Sequence, residues 1–403
     1  MKLSIQLAVC AVAFVCVGGA LAQTPDSAAD ESRAAASTAP VAFVYVGNTN
    51  NTLDAFAVAA NGRLTKVPGS PYKYTGFPEA VNGKYLFGRE PKGTIVDSFL
   101  MESNGALKLA VSTNIAVDNP TSCAPNEGAL KVDHSGESLY NLSWDSCDGQ
   151  STTMRIETFN INDANGDISY LSESDGFSAF DPSYQIAFLG NNQYGYLTQF
   201  NFLGVNEIAC GISWMQRPSN GELVNEGYGN PGPAAPPIAG TTNYYCPVYL
   251  ATDPTDHVVA LLQPTNGGGG FTGPLVLGVY TADVNGNLTT TNTSLDMPEA
   301  PAGATSIRMS PSGKYLAVGG QGVEIFHFNG AAPLTKYKTV LPASKYINQM
   351  VWDNNNHLFV TTLTDSKNLY VYTVTSTGIT EAPGSPYTVY FPTTTVVQTK
   401  QLN

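Results

Sequence analysis

An Asn-Gly step with a hydrophobic residue close behind it recurs along the chain, and no other feature constrains the fold as tightly. It reads Asn61-Gly62-Arg63-Leu64, Asn104-Gly105-Ala106-Leu107, Asn165-Gly166-Asp167-Ile168, Asn220-Gly221-Glu222-Leu223 and Asn285-Gly286-Asn287-Leu288. A looser copy stands at Asn329-Gly330 and a last turn at Thr377-Gly378-Ile379. Asn-Gly is the favoured pair for a two-residue hairpin turn, because both central residues take positive φ. Turns at intervals of about 43 to 65 residues describe one supersecondary unit copied seven times.

A second marker alternates with the first: a turn followed by an aromatic or aliphatic strand. It appears as Asn82-Gly83-Lys84-Tyr85-Leu86-Phe87, His134-Ser135-Gly136-Glu137-Ser138-Leu139-Tyr140 and Asn191-Asn192-Gln193-Tyr194-Gly195-Tyr196. It returns as Pro254-Thr255-Asp256-His257-Val258-Val259, Ser310-Pro311-Ser312-Gly313-Lys314-Tyr315-Leu316 and Asn354-Asn355-Asn356-His357-Leu358-Phe359. Each unit therefore reads strand A, turn, strand B, loop, strand C, Asn-Gly turn, strand D, the four antiparallel strands of a propeller blade. The fold class is all-β, a seven-bladed β-propeller. In the first unit Val41 to Gly47 reads as strand B, Thr52 to Val58 as strand C and Leu64 to Val67 as strand D, with no strand A. A spare strand at Thr393 to Thr399 completes that first blade and closes the ring, which removes two open sheet edges.

The ends of the chain echo each other. Gly62-Arg63-Leu64-Thr65, with Pro68-Gly69-Ser70-Pro71-Tyr72 behind it, returns as Gly378-Ile379-Thr380 and Pro383-Gly384-Ser385-Pro386-Tyr387, and both copies read as blade exits. Few charges and abundant Gly, Pro, Tyr, Thr and Asn suit short strands joined by tight turns. The net charge of −13 argues against nucleic acid or an anionic membrane surface as a partner.

Residues 1–22 have the layout of a secretory signal peptide: Lys2, an apolar stretch from Leu7 to Val17, then Ala20-Leu21-Ala22 with cleavage after Ala22. No membrane span is expected after cleavage, and residues 23–40 read as a disordered tether ahead of a propeller over 41–403. The expected location is periplasmic or extracellular. Cys123, Cys147, Cys210 and Cys246 remain in the mature chain, an even number that suggests disulfides in an exported protein. Cys123–Cys147 with Cys210–Cys246 is the favoured pairing, since each joins segments that adjoin in the blade scheme.

The run Ser310 to Val318 and the Gly-x-Leu-Thr…Pro-Gly-Ser-Pro-Tyr exits resemble the seven-bladed propeller lactonase-like proteins. That group includes the 6-phosphogluconolactonase-like and surface-layer YVTN-repeat proteins. The resemblance covers nearly the whole mature chain and is carried by turn and blade residues. It implies histidines on an innermost strand in a Pro-His-x-His-like pattern, with acidic and arginine partners. The matching stretches here, 126–132 and 302–308, hold none. His134, His257 and His357 fall in the A–B turns, and His327 lies in a strand C with Glu324.

In this scheme A–B and C–D turns share one face, and the B–C and D–A loops share the other. The second face carries the irregular stretches 143–153, 200–209, 227–245 and 263–274 and all four mature cysteines, so function is expected there. Polar candidates on it are Arg89, Glu90, Lys92, Glu127, Asp145, Asp148, Tyr184, Tyr244, Tyr245, Arg308 and Gln349. A charge in an innermost strand, such as Arg308, must face the channel or find a partner.

No metal or cofactor is expected. Asp163-Ala164-Asn165-Gly166-Asp167 misplaces the glycine of a calcium loop, and the glycine run at 267–270 lacks the helix of a phosphate loop. Trp144, Trp214 and Trp352 are too few for a quinone-binding propeller, and no Gly-x-Ser-x-Gly elbow is present. The leading expectation is a binding or interaction module for a protein or carbohydrate ligand on the long-loop face. The alternative is a lactone or sugar-ester hydrolase at the channel mouth, with Glu127 or Glu90 activating water and Arg308 stabilising developing charge.

Overall fold

The computed structural model describes residues 39–91, 93–115, 128–145, 153–177, 185–204, 207–229, 244–265, 273–330 and 332–399. Every regular element in them is a strand. The first sheet holds β1 (Ala42–Asn48), β2 (Thr52–Val58), β3 (Leu64–Lys66) and β4 (Tyr72–Lys73). The second holds β5 (Phe77–Val81), β6 (Tyr85–Arg89), β7 (Ile95–Met101) and β8 (Leu107–Asn114). The third holds β9 (Gly128–Val132), β10 (Ser138–Asp145), β11 (Thr153–Ile161) and β12 (Ile168–Phe177). In the fourth lie β13 (Ala187–Phe188), β14 (Tyr194–Gly204), β15 (Glu207–Gln216) and β16 (Val224–Gly229). In the fifth lie β17 (Tyr244–Thr252), β18 (His257–Thr265), β19 (Val276–Ala282) and β20 (Leu288–Thr289).

A seven-stranded sheet follows. It comprises β21 (Ser306–Met309), β22 (Tyr315–His327), β23 (Thr335–Trp352), β24 (His357–Thr362), β25 (Asn368–Thr375), β26 (Gly378–Glu381) and β27 (Tyr387–Thr388). Within it β23 pairs with β22 along one half and with β24 along the other. The two ends of β22 also meet, Phe328 N donating to Lys314 O at 2.9 Å. Finally β28 (Pro392–Gln398) returns to the first sheet and pairs antiparallel with β1, Val44 opposite Val397. The C-terminal strand therefore supplies the first sheet's missing strand, as the repeat count anticipates.

The leading strands of the sheets touch in sequence: β28 meets β5, β5 meets β9, β13 meets β17, β17 meets β21, β21 meets β23 and β23 meets β28. They make an inner wall. The core lies between successive sheets rather than in one mass. Tyr45 and Leu53 pack with Leu86 and Met101, and the closing cluster joins Val44 and Phe56 to Phe359 and Val371.

The turns fall where the sequence predicts, but their type differs: no asparagine of an Asn-Gly step takes positive φ. Ala59 N donates to Arg63 O while Gly62 N donates to Ala59 O, a loop longer than the expected two-residue turn in which only the glycine is left-handed. Gly62, Gly105, Gly166, Gly221, Gly286 and Gly330 all take positive φ, whereas Gly378 does not. The two Pro-Gly-Ser-Pro-Tyr exits match in detail. Tyr72 Oη donates to Pro68 O at 2.8 Å and Tyr387 Oη to Pro383 O at 2.6 Å, while Ser70 and Ser385 each accept a strand N–H. One expectation changes. The stretch 200–209, read as an irregular loop, is mostly hairpin, with Phe200 opposite Cys210 and Phe202 opposite Ile208. The apolar alternation there continues the strand period past the usual blade length. The Cys210–Cys246 disulfide is present, and it links β15 to β17 instead of stapling two loops. Cys123 and Cys147 lie outside the described residues.

Candidate functional site

Each leading strand ends at a turn residue whose N–H donates back across the hairpin: Asn82, Asp133, Leu189, Asp253, Ser310 and Asp353. Counting two residues back from each gives Ala80, Lys131, Ala187, Ala251, Arg308 and Val351. One level of the inner wall is therefore small and apolar except for two cations, on β9 and β21. Side chains two apart on a strand share a side.

Arg308 Nη1 donates to Gln185 Oε1 at 3.0 Å and to Ile307 O at 2.8 Å, while Trp352 Nε1 holds Arg308 O at 3.0 Å. Burial pushes the guanidinium down to about 10, opposed by Tyr249, so it stays charged at neutral pH. Lys131 makes no hydrogen bond or ion pair among the described residues. It is exposed to solvent yet crowded by surrounding protein. That crowding, then the positive charge of Arg308, push its amine down to about 8. Two buried hydroxyls on the leading strands are also unmatched: Ser306, two residues from Arg308, is 5% exposed and Thr395, on β28, is 6% exposed, and neither hydroxyl has a hydrogen-bond partner.

A second charged group stands at β5 and β6. Arg89 Nη2 meets Glu79 Oε1 at 3.2 Å, and Glu79 Oε2 accepts Leu130 N at 2.5 Å, which ties β5 to β9. Arg89 Nη1 donates to Asn141 Oδ1 at 3.3 Å, and Asn141 donates on to Glu157. Burial raises the Glu79 carboxyl, with Arg89 opposing. Arg89 is thus buried in a bond network between sheets.

The other candidates scatter. Glu127, Tyr184, Lys92 and Asp148 lie outside the described residues. Asp145 ends β10, and Glu90 sits in the turn after β6, its N–H on Ile95 O. Tyr245 is buried in the core between two sheets, Tyr244 packs on the disulfide, and Gln349 lies on β23. The turn histidines are structural. His257 Nδ1 lies 3.1 Å from Asp253 Oδ2 and His357 Nδ1 2.6 Å from Asp353 Oδ2, each in its own turn, while His134 meets Phe188 O at 3.1 Å. A cleft of about 520 Å³, lined in part by Asn192, Tyr194, Arg217 and Val284, opens among the short turns and holds none of the inner-wall cations.

Lys131, Gln185 and Glu79 escape the sequence reading. For Lys131 a signal exists: it stands two residues before the Asp133 turn as Arg308 stands two before the Ser310 turn. For Gln185 there is none, because nothing local says which side chain reaches it across the wall.

Comparison with known proteins agrees with this architecture. No protein-family model matches the chain, and no curated protein matches it. Among solved structures, a candidate 6-phosphogluconolactonase from Bacteroides uniformis has a TM-score of 0.61 at 15% identity, covering 89% of this chain and 100% of the other. A second candidate, from Bacteroides fragilis, gives 0.60 at 16% identity over 90% and 99%. The periplasmic gluconolactonase of Pseudomonas aeruginosa gives 0.59 at 13% identity over 88% and 98%. At such identities the likeness shows the fold, which is that of the lactonase-like β-propeller proteins.

Proposed function

We propose that this chain is an exported, seven-bladed propeller hydrolase that opens a sugar lactone at the inner wall where Arg308 and Lys131 stand. The observation that carries the reading is the pair of cations on one otherwise apolar level, with Gln185 fixing the guanidinium. Opening a lactone passes through a tetrahedral oxyanion, and a preorganised cation beside it lowers that barrier. In this mechanism Arg308 donates to the carbonyl oxygen as it gains charge, and Gln185 keeps the guanidinium from swinging away. Likeness to 6-phosphogluconolactonase candidates and a gluconolactonase favours turnover over the pure binding module. Seven blades accord with seven turn copies and with β23 passing from one four-stranded set into the next. Export accords with the layout of residues 1–22, the Cys210–Cys246 disulfide and the periplasmic setting of one structural relative.

The test is hydrolysis of glucono-1,5-lactone by the mature protein, followed by acid release. Arg308→Ala should lower kcat/KM by about 100-fold or more. Equal, background rates for both proteins sink the hydrolase reading for that lactone. Binding of gluconate without any turnover returns the protein to the module class.

A further inference from the structure

We infer that Lys131 is the general base and acid of this site, taking the proton of the attacking water and returning it to the leaving ring oxygen. The inference rests on the hydrolase reading above. It stands first on placement, since Lys131 and Arg308 occupy the same turn-relative position on β9 and β21, the two charged residues at that level. It stands second on partnership: the amine has no hydrogen bond or ion pair among the described residues, whereas Arg308 is held by Gln185 and Ile307. No protein group among the described residues therefore competes with a water molecule for the amine. The backbone around it is fixed, with Lys131 opposite Tyr140 in the β9–β10 ladder and Leu130 N tied to Glu79.

The charged and titratable neighbours set the direction of its titration. Arg308 on β21 disfavours its ammonium form. On its own turn stand Asp133, which pairs with Arg217, and His134. On β5 and β6 stand Glu79 and Arg89, which neutralise each other. Tyr140 on β10 has its hydroxyl on Gly221 O. Burial first, and the positive charge of Arg308 second, bring the amine down to about 8, and no carboxylate pairs with it among the described residues to oppose them. A base near the working pH is the efficient one.

The step balances. Neutral Lys131 removes a proton as the water oxygen bonds to the carbonyl carbon, giving an oxyanion beside Arg308 and an ammonium on Lys131. The carbon–ring oxygen bond then breaks, the oxyanion reforms the carbonyl, and the ammonium gives its proton to the departing alkoxide. Lactone and water become one hydroxy acid, with no oxidant or co-reactant.

Lys131→Arg and Lys131→Gln separate charge from proton transfer, measured as pH profiles of kcat and KM on glucono-1,5-lactone. The wild type should gain kcat with rising pH through about 8 and then level off. Lys131→Arg should keep KM within a few-fold, lose kcat by about 100-fold or more and show no break there. Lys131→Gln should lose kcat equally. A direct readout uses the Lys131 ε-carbon resonance in lysine-labelled protein, assigned by its absence in Lys131→Arg. It should titrate near 8 and move upward in Arg308→Gln. An ordinary lysine titration, or a Lys131→Arg enzyme with unchanged kcat and pH break, overturns the base assignment and leaves the hydrolase reading intact. A wild type that hydrolyses no lactone overturns both.

Discussion

A methyl group added to Gly105 would lie 2.2 Å from the Phe43 ring, and one added to Gly166 would lie 2.7 Å from Tyr85. These are the glycines of the Asn-Gly turns, and the clash is with the preceding sheet. Positive φ explains why each turn needs glycine; the neighbour explains why nothing larger fits. Buried tyrosines on the second strands use the same turns. Tyr45 Oη donates to Gly105 O at 2.9 Å, Tyr140 to Gly221 O at 2.7 Å and Tyr196 to Gly286 O at 2.9 Å. The repeated turn is therefore a joint between blades as well as a hairpin. Tyr140→Phe leaves Gly221 O and the Arg217 Nε donor short of a partner, and should cost about 1–2 kcal/mol. Gly105→Ala combines strained φ with overpacking and should cost about 1–3 kcal/mol or more. Urea midpoints check both, and wild-type midpoints would show that the joints bear no load.

At the scale of the element, the β14–β15 hairpin is the clearest departure from the repeat. It runs from Tyr194 opposite Gln216 to Gly204 opposite Glu207, and its length brings Cys210 beside Cys246 at the start of β17. The bond spans a sequence separation of 36, so closing that loop restricts the unfolded chain by roughly 4 kcal/mol. Cys210→Ser with Cys246→Ser should lower stability by up to about that amount, seen as a lower melting temperature that reductant no longer changes. A double variant melting with the oxidised parent contradicts a stabilising role. The positions of the turns were legible because Asn-Gly, Ser-Gly and Pro-Gly-Ser-Pro-Tyr act within a few residues, whereas the Asn-Gly turn type was not, since only the glycine takes positive φ. The closure by β28 was legible too, since it follows from counting strands. The long hairpin was not, since its apolar alternation exceeds the unit and was read as an insertion. At the site Arg308 was legible as a charge on an innermost strand, while Lys131 was not singled out. Its meaning comes from Arg308, 177 positions away by the numbering, and only closure of the ring brings the two within electrostatic reach.

For the whole molecule, closure also fixes how the fold responds to pH. The spaces between sheets are lined by tyrosines whose hydroxyls are buried: Tyr45, Tyr140, Tyr196 and Tyr280 are all at most 1% exposed. Burial raises each of them above the ordinary 10.0, Tyr140 to about 12. A group whose folded value is raised favours folding in its protonated form. Its contribution is full below the unfolded value near 10 and is lost as pH climbs from there toward the folded value. For Tyr140 the difference of about 2 units corresponds to roughly 3 kcal/mol. Because these tyrosines sit in different joints of one closed ring, their losses fall on the same cooperative unit. The protein should hold its stability up to about pH 10 with respect to these groups, then unfold in one steep alkaline transition. Tyrosinate absorbance and circular dichroism should change together there, because the buried hydroxyls ionise only as the joints open. Any tyrosinate absorbance gained ahead of that transition should come without loss of ellipticity. If all the tyrosines ionise near pH 10 while the sheets stay intact, the hydroxyls are not sealed between blades and the ring is looser than the packing of Tyr45, Tyr140 and Tyr196 requires.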